Sequence, residues 1–368
     1  MNANQHPAIE LLCKLISTES FSGQEDQTVQ HIIDFLHGNR IKTKRIGNNV
    51  IAGLNNYDGS KPVVLLNSHH DTVRPNKHWS KDPFTPVFEE DKLFGLGSND
   101  AGASLVSLIS VYVDLHQLEL PFHLILVASA EEENSGSNGI ESVLPHLPEI
   151  NCGIVGEPTG MNAAIAERGL MVLDCIAKGK AGHAAREEGE NAIANAIKDI
   201  NWFQNFQFPK VSEWLGRVKM TVTIINAGSL HNVVPEECKF TVDVRIPETY
   251  THEEILQTIK QHVSSEVNPR SLRMPSSSIA IDHPLVHAAQ YSGMKLYGSP
   301  TSSDQALMSF PTVKIGPGDS ARSHTADEFI YCSEIINAIS DYKIFLLQFG
   351  EELKKTESKN TTKLIDVE

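Results

Sequence analysis

The chain has 368 residues, a hydrophobic fraction of 40% and a formal net charge of −15, since 46 Asp and Glu outnumber 31 Lys and Arg. This length and composition predict a globular protein with two domains, or one large domain that carries an insertion. The acidic charge argues against a nucleic-acid partner, and the lack of an apolar run of about 18 residues argues against a membrane span.

Short apolar runs alternate with amphipathic stretches through the first 166 residues. Helical spacing is found at 8–16, 24–36 and 105–115. Continuous apolar runs, typical of buried strands, are found at 63–66, 124–128 and 154–155. The alternation predicts an α/β domain with a mostly parallel sheet flanked by helices.

The pattern changes over residues 167–281. Strands are predicted at 170–178, 218–226, 237–245 and 278–281, and helices at 192–203 and 252–265. The resulting order, β-α-β-β-α-β, is that of a ferredoxin-like domain. We therefore predict one catalytic domain in two pieces, 1–166 and 282–350, with an inserted domain at 167–281.

The α/β pattern resumes from residue 282. A helix is predicted at 284–297, a strand at 313–315 and a long helix at 333–349. The segment 351–368 is charged and lacks aromatic residues, which predicts a disordered tail.

Five segments place a histidine or a carboxylate directly after an apolar strand or at a helix entry. They contain His69 and Asp71, Asp100, the acidic run 131–133, Glu157, and His324. Ligands of open parallel sheets gather beyond the carboxyl ends of the strands, so we expect these groups to converge.

Two histidines, several carboxylates and one spare Glu are the composition of a two-metal hydrolytic site. Imidazole and carboxylate ligands without thiolate suit zinc, with cobalt or manganese as alternatives. Metals there polarise an amide carbonyl and acidify water, and an unligated Glu accepts the proton. Asp71, two residues after His69, can hydrogen-bond the second ring nitrogen of that histidine.

At this point the sequence resembles the acetylornithine deacetylase / succinyl-diaminopimelate desuccinylase family of dizinc metallohydrolases, which includes aminoacylases and carboxypeptidase G2. The matching motifs, in family order, are Ser68-His69-His70-Asp71-Thr72-Val73, Gly97-Ser98-Asn99-Asp100, Glu131-Glu132-Glu133, Val155-Gly156-Glu157-Pro158-Thr159 and Ser323-His324-Thr325. They cover nearly the whole chain.

The resemblance implies that Asp100 bridges two metals. His69 and Glu157 hold one of them, and Glu133 and His324 hold the other. It also implies that Glu132 is the general base and that Asp71 assists catalysis. Since the acidic run has three members, a register shifted by one, with Glu131 as base and Glu132 as ligand, stays open.

The inserted domain resembles the family's lid and dimerisation domain. The resemblance implies that His183 and Asn232 reach into the site of a partner subunit, with His183 as an oxyanion donor. It further implies that Arg168 and Arg245 bind a substrate carboxylate, and that Ser302 lies in a loop lining the acyl pocket.

One position departs from the family pattern. Where the family commonly has a Lys two residues after the bridging Asp, followed by Gly, this chain has Asp100-Ala101-Gly102-Ala103. The departure leaves the metal ligands intact and puts close identity of substrate with the main branch in doubt.

The sequence therefore predicts a homodimeric dizinc amidohydrolase that removes an acetyl or succinyl group from a small amino acid. Ornithine or citrulline in arginine biosynthesis is the favoured substrate, with diaminopimelate as an alternative. A dipeptidase or aminopeptidase and a non-catalytic metal-binding protein are the rival hypotheses. Five widely spread cysteines, together with an N-terminus that lacks the basic start and apolar core of a signal peptide, predict reduced thiols and a cytoplasmic location.

Overall fold

The computed structural model describes residues 5–186 and 188–365, the last ten of these (356–365) as backbone only. Two compact units are present. Unit 1 comprises Met1–Ile165, Ile279–Tyr297 and Ser303–Glu368, and unit 2 comprises Ala166–Ser278 and Gly298–Ser302. Among the helices in the described part of the chain, none is long and apolar enough to cross a bilayer.

The helices and strands are numbered in chain order. The helices are α1 Pro7–Ile16, α2 Asp26–Gly38, α3 Ala103–Leu115, α4 Ile140–Val143, α5 Ala192–Asn205, α6 His252–His262, α7 Pro284–Tyr291 and α8 Cys332–Ile365. The strands are β1 Thr43–Ile46, β2 Asn49–Ala52, β3 Val63–His69, β4 Val87–Glu89, β5 Lys92–Phe94, β6 His123–Ser129, β7 Cys152–Val155, β8 Ala163–Glu167, β9 Gly169–Lys178, β10 Gly182–His183, β11 Lys219–Ala227, β12 Val233–Val234, β13 Glu237–Ile246, β14 Glu266–Pro269, β15 Ser277–Ser278, β16 Leu296–Ser299, β17 Thr312–Lys314 and β18 Phe329–Tyr331.

The main sheet of unit 1 has the strand order β1-β2-β6-β3-β7-β17-β8. Its central strands β6, β3, β7 and β17 are parallel neighbours. Every residue of β3 is buried, as expected for a parallel strand covered on both faces. The predicted α/β class, a mostly parallel sheet flanked by helices, is confirmed.

Helices α3 and α8 supply much of the hydrophobic core of unit 1. Eleven of the thirteen residues of α3 are buried, so this helix is apolar around nearly its whole circumference. Tyr342 of α8 is fully buried and donates its hydroxyl to the carbonyl of Ile315, just beyond β17. This bond satisfies a polar group that would otherwise be costly to bury.

Unit 2 contains a four-stranded sheet in the order β11-β13-β9-β14, with antiparallel neighbours throughout. Together with α5 and α6 this is the β-α-β-β-α-β order, so the ferredoxin-like prediction is confirmed. A capping box starts α6: the Thr251 side chain accepts a bond from the backbone N–H of Glu254, and the Glu254 carboxylate accepts one from the N–H of Thr251.

The fourth strand of this sheet differs from the prediction. It is β14, Glu266–Pro269, rather than 278–281, and α6 ends at His262 rather than 265. The cause is Asp199 on α5, whose carboxylate accepts hydrogen bonds from the backbone N–H groups of Ser264 and Ser265 and so ends the helix early. β15 instead pairs with Ala166 and Glu167 at the end of β8.

Two further segments differ from the predictions. The helix expected over 284–297 ends at Tyr291, and residues 296–299 form β16. The segment expected to be a disordered tail is helical through Ile365. At its start, Leu353 packs on the core, and Lys354 and Lys355 pair with Glu351 and Glu352. Residues 366–368 lie outside the described part of the chain.

The segment 298–302 belongs to unit 2, although the sequence assigned it to the catalytic part. Two contacts explain this placement. The backbone N–H of Arg168 donates to the carbonyl of Ser299, and the Ser302 hydroxyl donates to the carbonyl of Arg168 at 2.7 Å.

Candidate metal centre

The ends of three parallel strands in unit 1 converge at one edge of the sheet. His69 is the last residue of β3, the acidic run follows β6, and Glu157 follows β7. The register places His69 opposite Ser129 of β6, and Asn67 opposite Val155 of β7. The predicted convergence of polar side chains is thus produced by the pairing of parallel strands.

Asp100 lies between the two predicted histidine ligands. Its Oδ1 is 3.4 Å from Nε2 of His69, and its Oδ2 is 3.6 Å from Nε2 of His324. Asp100 occupies an irregular turn, Ser98–Gly102, that precedes α3. One carboxylate facing two imidazoles with separate oxygens has the arrangement of a bridging ligand.

A second carboxylate accompanies each histidine. Glu157 Oε1 is 3.7 Å from Nε2 of His69, and Glu133 Oε2 is 3.0 Å from Nε2 of His324. Together with Asp100, these residues form two donor groups that share one member. All five sequence-predicted metal ligands therefore lie together in unit 1.

The chemistry of these donors fits a divalent ion. Nε2 of His69 is buried and has no hydrogen-bond partner among the described residues, which is costly unless a ligand occupies that side. Nδ1 of the same ring lies 3.1 Å from the backbone oxygen of Asp71 and 3.4 Å from its Oδ1. The contacts of Nδ1 therefore fix the orientation of the ring, as in metal-binding histidines. Imidazole and carboxylate donors together suit zinc, cobalt or manganese.

The pKa shifts of the side chains at the site also favour a bound cation. Burial raises the pKa of Glu157 to about 8, and burial also raises the pKa of Glu132 well above its usual value. The hydrogen bond that His324 donates to Glu133 raises the pKa of His324 to about 9. Burial lowers the pKa of His69, but the neighbouring carboxylates of Asp100 and Asp71 raise it by more, to well above the usual value. The raised pKa values of the two glutamates follow from their burial, and a bound cation would lower them.

The three acidic residues of the run point to different partners. The carboxylate of Glu131 accepts hydrogen bonds from the backbone and side chain of Asn138. Glu132 Oε2 lies 4.0 Å from Nε2 of His69, and Glu133 contacts His324. This geometry supports the register in which Glu132 is the base and Glu133 a ligand.

Asp71 holds the backbone of both Glu132 and Glu133. Its Oδ1 accepts a bond from the N–H of Glu132 and its Oδ2 one from the N–H of Glu133, both at 3.1 Å. Oδ2 also accepts the hydroxyl of Ser22 at 2.7 Å. The same buried carboxylate thus orients the His69 ring and the turn that carries both glutamates.

His183 and Asn232 lie beside each other on the surface of unit 2. β10 pairs with β12, and the N–H of Ala184 donates to the carbonyl of Asn232 at 3.1 Å. Nδ1 of His183 accepts a bond from the N–H of Ala185, which leaves Nε2 as the protonated nitrogen of the neutral ring.

The arginines predicted to bind substrate are engaged within unit 2. Arg168 donates to the carbonyl oxygens of Leu215 and Arg217. Arg245 pairs with both oxygens of Asp243, at 2.9 and 3.1 Å. Each guanidinium therefore already has acceptors in its own unit.

Two buried carboxylates at this edge of unit 1 received no role from the sequence. Asp304 Oδ2 accepts bonds from the side chains of Asn67 and Ser129, and burial raises the pKa of Asp304 to about 6. Glu328 accepts three backbone N–H groups from the segment that contains Asp100. The signal for Glu328 was its position four residues after His324, where an acidic side chain follows a predicted ligand.

Most of unit 2 matches a known domain family. Residues 165–270 match the model of the peptidase dimerisation domain of the M20 family. The chain is 27% identical over 286 residues to a succinyl-diaminopimelate desuccinylase of Wolbachia pipientis, with 73% of this chain and 72% of the relative covered. It is 25% identical to an acetylornithine deacetylase of Klebsiella pneumoniae, with 90% of this chain and 94% of the relative covered.

Solved structures share the fold at lower identity. A tripeptidase from Staphylococcus aureus superposes with a TM-score of 0.76 at 19% identity, covering 94% of this chain and 98% of its own. A Bacillus subtilis protein, described as a dinuclear metal-binding peptidase of the M20 family, has a TM-score of 0.69 at 17% identity, with 94% and 98% covered. The resemblance found in the sequence is confirmed, and so is the enzyme class, a hydrolase acting on amide bonds.

The raised pKa values predict how the metal-free protein responds to pH. The folded-state pKa values of Glu157 (about 8) and His324 (about 9) both exceed the ordinary values for Glu and His. Such groups stabilise the fold below their unfolded pKa, and that contribution is lost as pH rises through the folded pKa. We expect the Tm measured with chelator to fall between about pH 5 and pH 9.

Excess Zn²⁺ should remove this decline, because the ions replace the protons as partners of the carboxylates. The variant Glu157→Gln serves as the control and should show a shallower decline with chelator. A metal-free Tm that stays level or rises over this pH range would contradict the electrostatic description of the site.

Proposed function

We propose that this chain, a relative of the M20 metallohydrolases, is a dizinc amidohydrolase that removes an N-acyl group from a small amino acid. The observation that carries the proposal is Asp100, whose two oxygens face His69 and His324. The identities of 25–27% are to relatives named as deacylases, and these alignments cover at least 72% of each relative. An acetyl or succinyl derivative of ornithine, citrulline or diaminopimelate is the substrate class that follows.

In this proposal, five residues hold the metal pair. His69 and Glu157 would hold one ion, Glu133 and His324 the other, and Asp100 both. When bound, the ions act as Lewis acids that polarise the amide carbonyl and lower the pKa of water. Zinc is proposed from the mixed imidazole and carboxylate donors, with cobalt or manganese able to replace it.

Glu132 is proposed as the general base. Burial raises the pKa of Glu132, which suits a group that must accept and then release a proton. Its Oε2 accepts a proton as the water oxygen bonds to the amide carbon. The same proton then passes to the departing nitrogen as the C–N bond breaks, giving a carboxylic acid and a free amine. Asp71 keeps Glu132 in place through the backbone.

The remaining proposed roles lie in unit 2. His183 of a partner subunit would donate from Nε2 to the developing oxyanion, with Asn232 beside it. Arg168, Arg245 and Ser302 would contribute to binding the substrate, the two arginines through the donors that their internal contacts leave over. A cytoplasmic location is proposed from the free state of all five cysteines.

Amine release across a matched panel tests the function. The panel contains N-acetyl and N-succinyl ornithine, citrulline and diaminopimelate, and two simple dipeptides, each with and without zinc. We expect turnover of one acyl amino acid that disappears with chelator and returns with zinc. The variant Glu132→Gln should keep both ions and lose about 10²–10⁴-fold in kcat, because the proton acceptor is removed.

The matched control is Glu131→Gln, an adjacent residue whose carboxylate binds Asn138. This variant should retain activity within a few-fold. Full activity in Glu132→Gln, together with loss of activity in Glu131→Gln, would assign the general base to Glu131. Cleavage of dipeptides alone would overturn deacylation in favour of a peptidase.

The homodimer is proposed from the edge strand β11. This strand pairs with β13 on one side, and its residues Ile224 and Ile225 are about half exposed, at 49% and 52%. Exposed apolar edge strands are ordinarily covered. The name of the matching domain, over 165–270, supports pairing through this unit.

Ile225→Lys should therefore convert a dimer into a monomer in sedimentation velocity, because the charge opposes burial of the edge. Activity should fall with it, since His183 would no longer reach a partner's site. Ile344→Lys on α8, equally exposed at 55%, is the matched control and should stay dimeric and active. A fully active monomer would refute both the dimer and the role of His183 across it.

A further inference from the structure

Glu328 is a buried carboxylate that the proposed mechanism does not use. It precedes β18 and is 2% exposed, although no metal-ligand role falls to it. A buried Glu is rare unless its oxygens are paired. The hydrogen-bond partners of Glu328 therefore explain why this side chain can be buried.

Those partners are three backbone amides of one short segment. Oε1 accepts the N–H of Asn99 at 2.8 Å and of Asp100 at 2.9 Å, and Oε2 accepts the N–H of Gly97 at 3.3 Å. Asp100 has φ −116° and ψ 100°, outside the helical region, so its amide is not part of a regular helix. The carboxylate supplies the acceptors that regular structure would otherwise provide.

The main chain of Glu328 binds the same segment. Its carbonyl accepts the N–H of Gly95 at 3.0 Å, and Phe329 pairs with Phe94 in the antiparallel register of β18 and β5. Both the backbone and the side chain of Glu328 are thus tied to residues 94–100. The turn that carries Asp100 is therefore held against a fixed strand.

We propose that Glu328 is a positioning residue that sets the Asp100 turn so that the two oxygens of Asp100 face the two metal positions. The inference rests on the proposed dinuclear site. It parallels Asp71, which holds the N–H groups of Glu132 and Glu133 on the other side of the site. The turn of Asp100 and the turn of Glu132 and Glu133 are thus each held by a buried carboxylate that is not itself a proposed metal ligand.

Glu328→Gln tests the proposal because it keeps the shape of the side chain and replaces one acceptor oxygen by an NH₂ donor. One of the three amides then faces a donor, and the turn loses its preferred position. We expect metal affinity, measured by competition with a chelator, to fall about 10–100-fold. The visible absorption of the Co²⁺-loaded protein should change as well, because the ligand geometry around the ions changes.

Asp199→Asn is the matched control. Asp199 is also a buried carboxylate, and it accepts two backbone N–H groups, from Ser264 and Ser265, but it lies in unit 2. This variant should lose stability without a change in metal affinity or Co²⁺ spectrum. If Glu328→Gln does not fold, Glu328→Asp replaces it, since the shorter side chain keeps the charge and cannot reach all three amides.

The outcomes separate the two claims. Wild-type protein that fails to bind two ions would refute the dinuclear site itself. Wild-type protein that binds two ions, together with a folded Glu328 variant of unchanged affinity and Co²⁺ spectrum, would refute the positioning role alone. A loss of affinity with an altered Co²⁺ spectrum, absent from Asp199→Asn, would support it.

Discussion

The candidate metal centre is governed by the cost of burying several carboxylates close together. Asp100, Glu133 and Glu157 surround His69 and His324 within hydrogen-bonding or ion-pair distance. Desolvation and like charge both disfavour ionised carboxyls, which is why the pKa of Glu157 rises to about 8. Two divalent ions would offset both effects, which would link metal binding thermodynamically to the structure of this edge.

The fold of unit 1 holds this unfavourable cluster together. Parallel pairing aligns the ends of β3, β6 and β7, and so brings together ligands distant in sequence. The ligand turns beyond the strands need other support, because their backbone amides lie outside the sheet. Asp71 and Glu328 accept these amides. The site therefore combines a rigid sheet edge with turns that carboxylates fix in place.

The sequence predicted the α/β class, the ferredoxin-like order and the convergence of the candidate ligands, because each has a local signal. Buried parallel strands are continuous apolar runs, and the ligands sit in motifs directly after them. The last strand of unit 2 was placed wrongly because the long-range contact of Asp199 with Ser264 and Ser265 ends α6. The position of Glu328, four residues after His324, is visible in the sequence, but its supporting role is not, since that role depends on hydrogen bonds to residues more than 200 positions away. The same holds for Arg168, whose partners lie 47 and 49 residues along the chain.

We propose that Asp100 joins two ions held by separate pairs of ligands. Anomalous diffraction at the zinc absorption edge, from crystals of the zinc-saturated protein, tests it most directly. We expect two peaks, one beside His69 and Glu157 and the other beside Glu133 and His324, with the Asp100 carboxylate between them. A single peak at saturating zinc, or an Asp100 that contacts one ion alone, would contradict it.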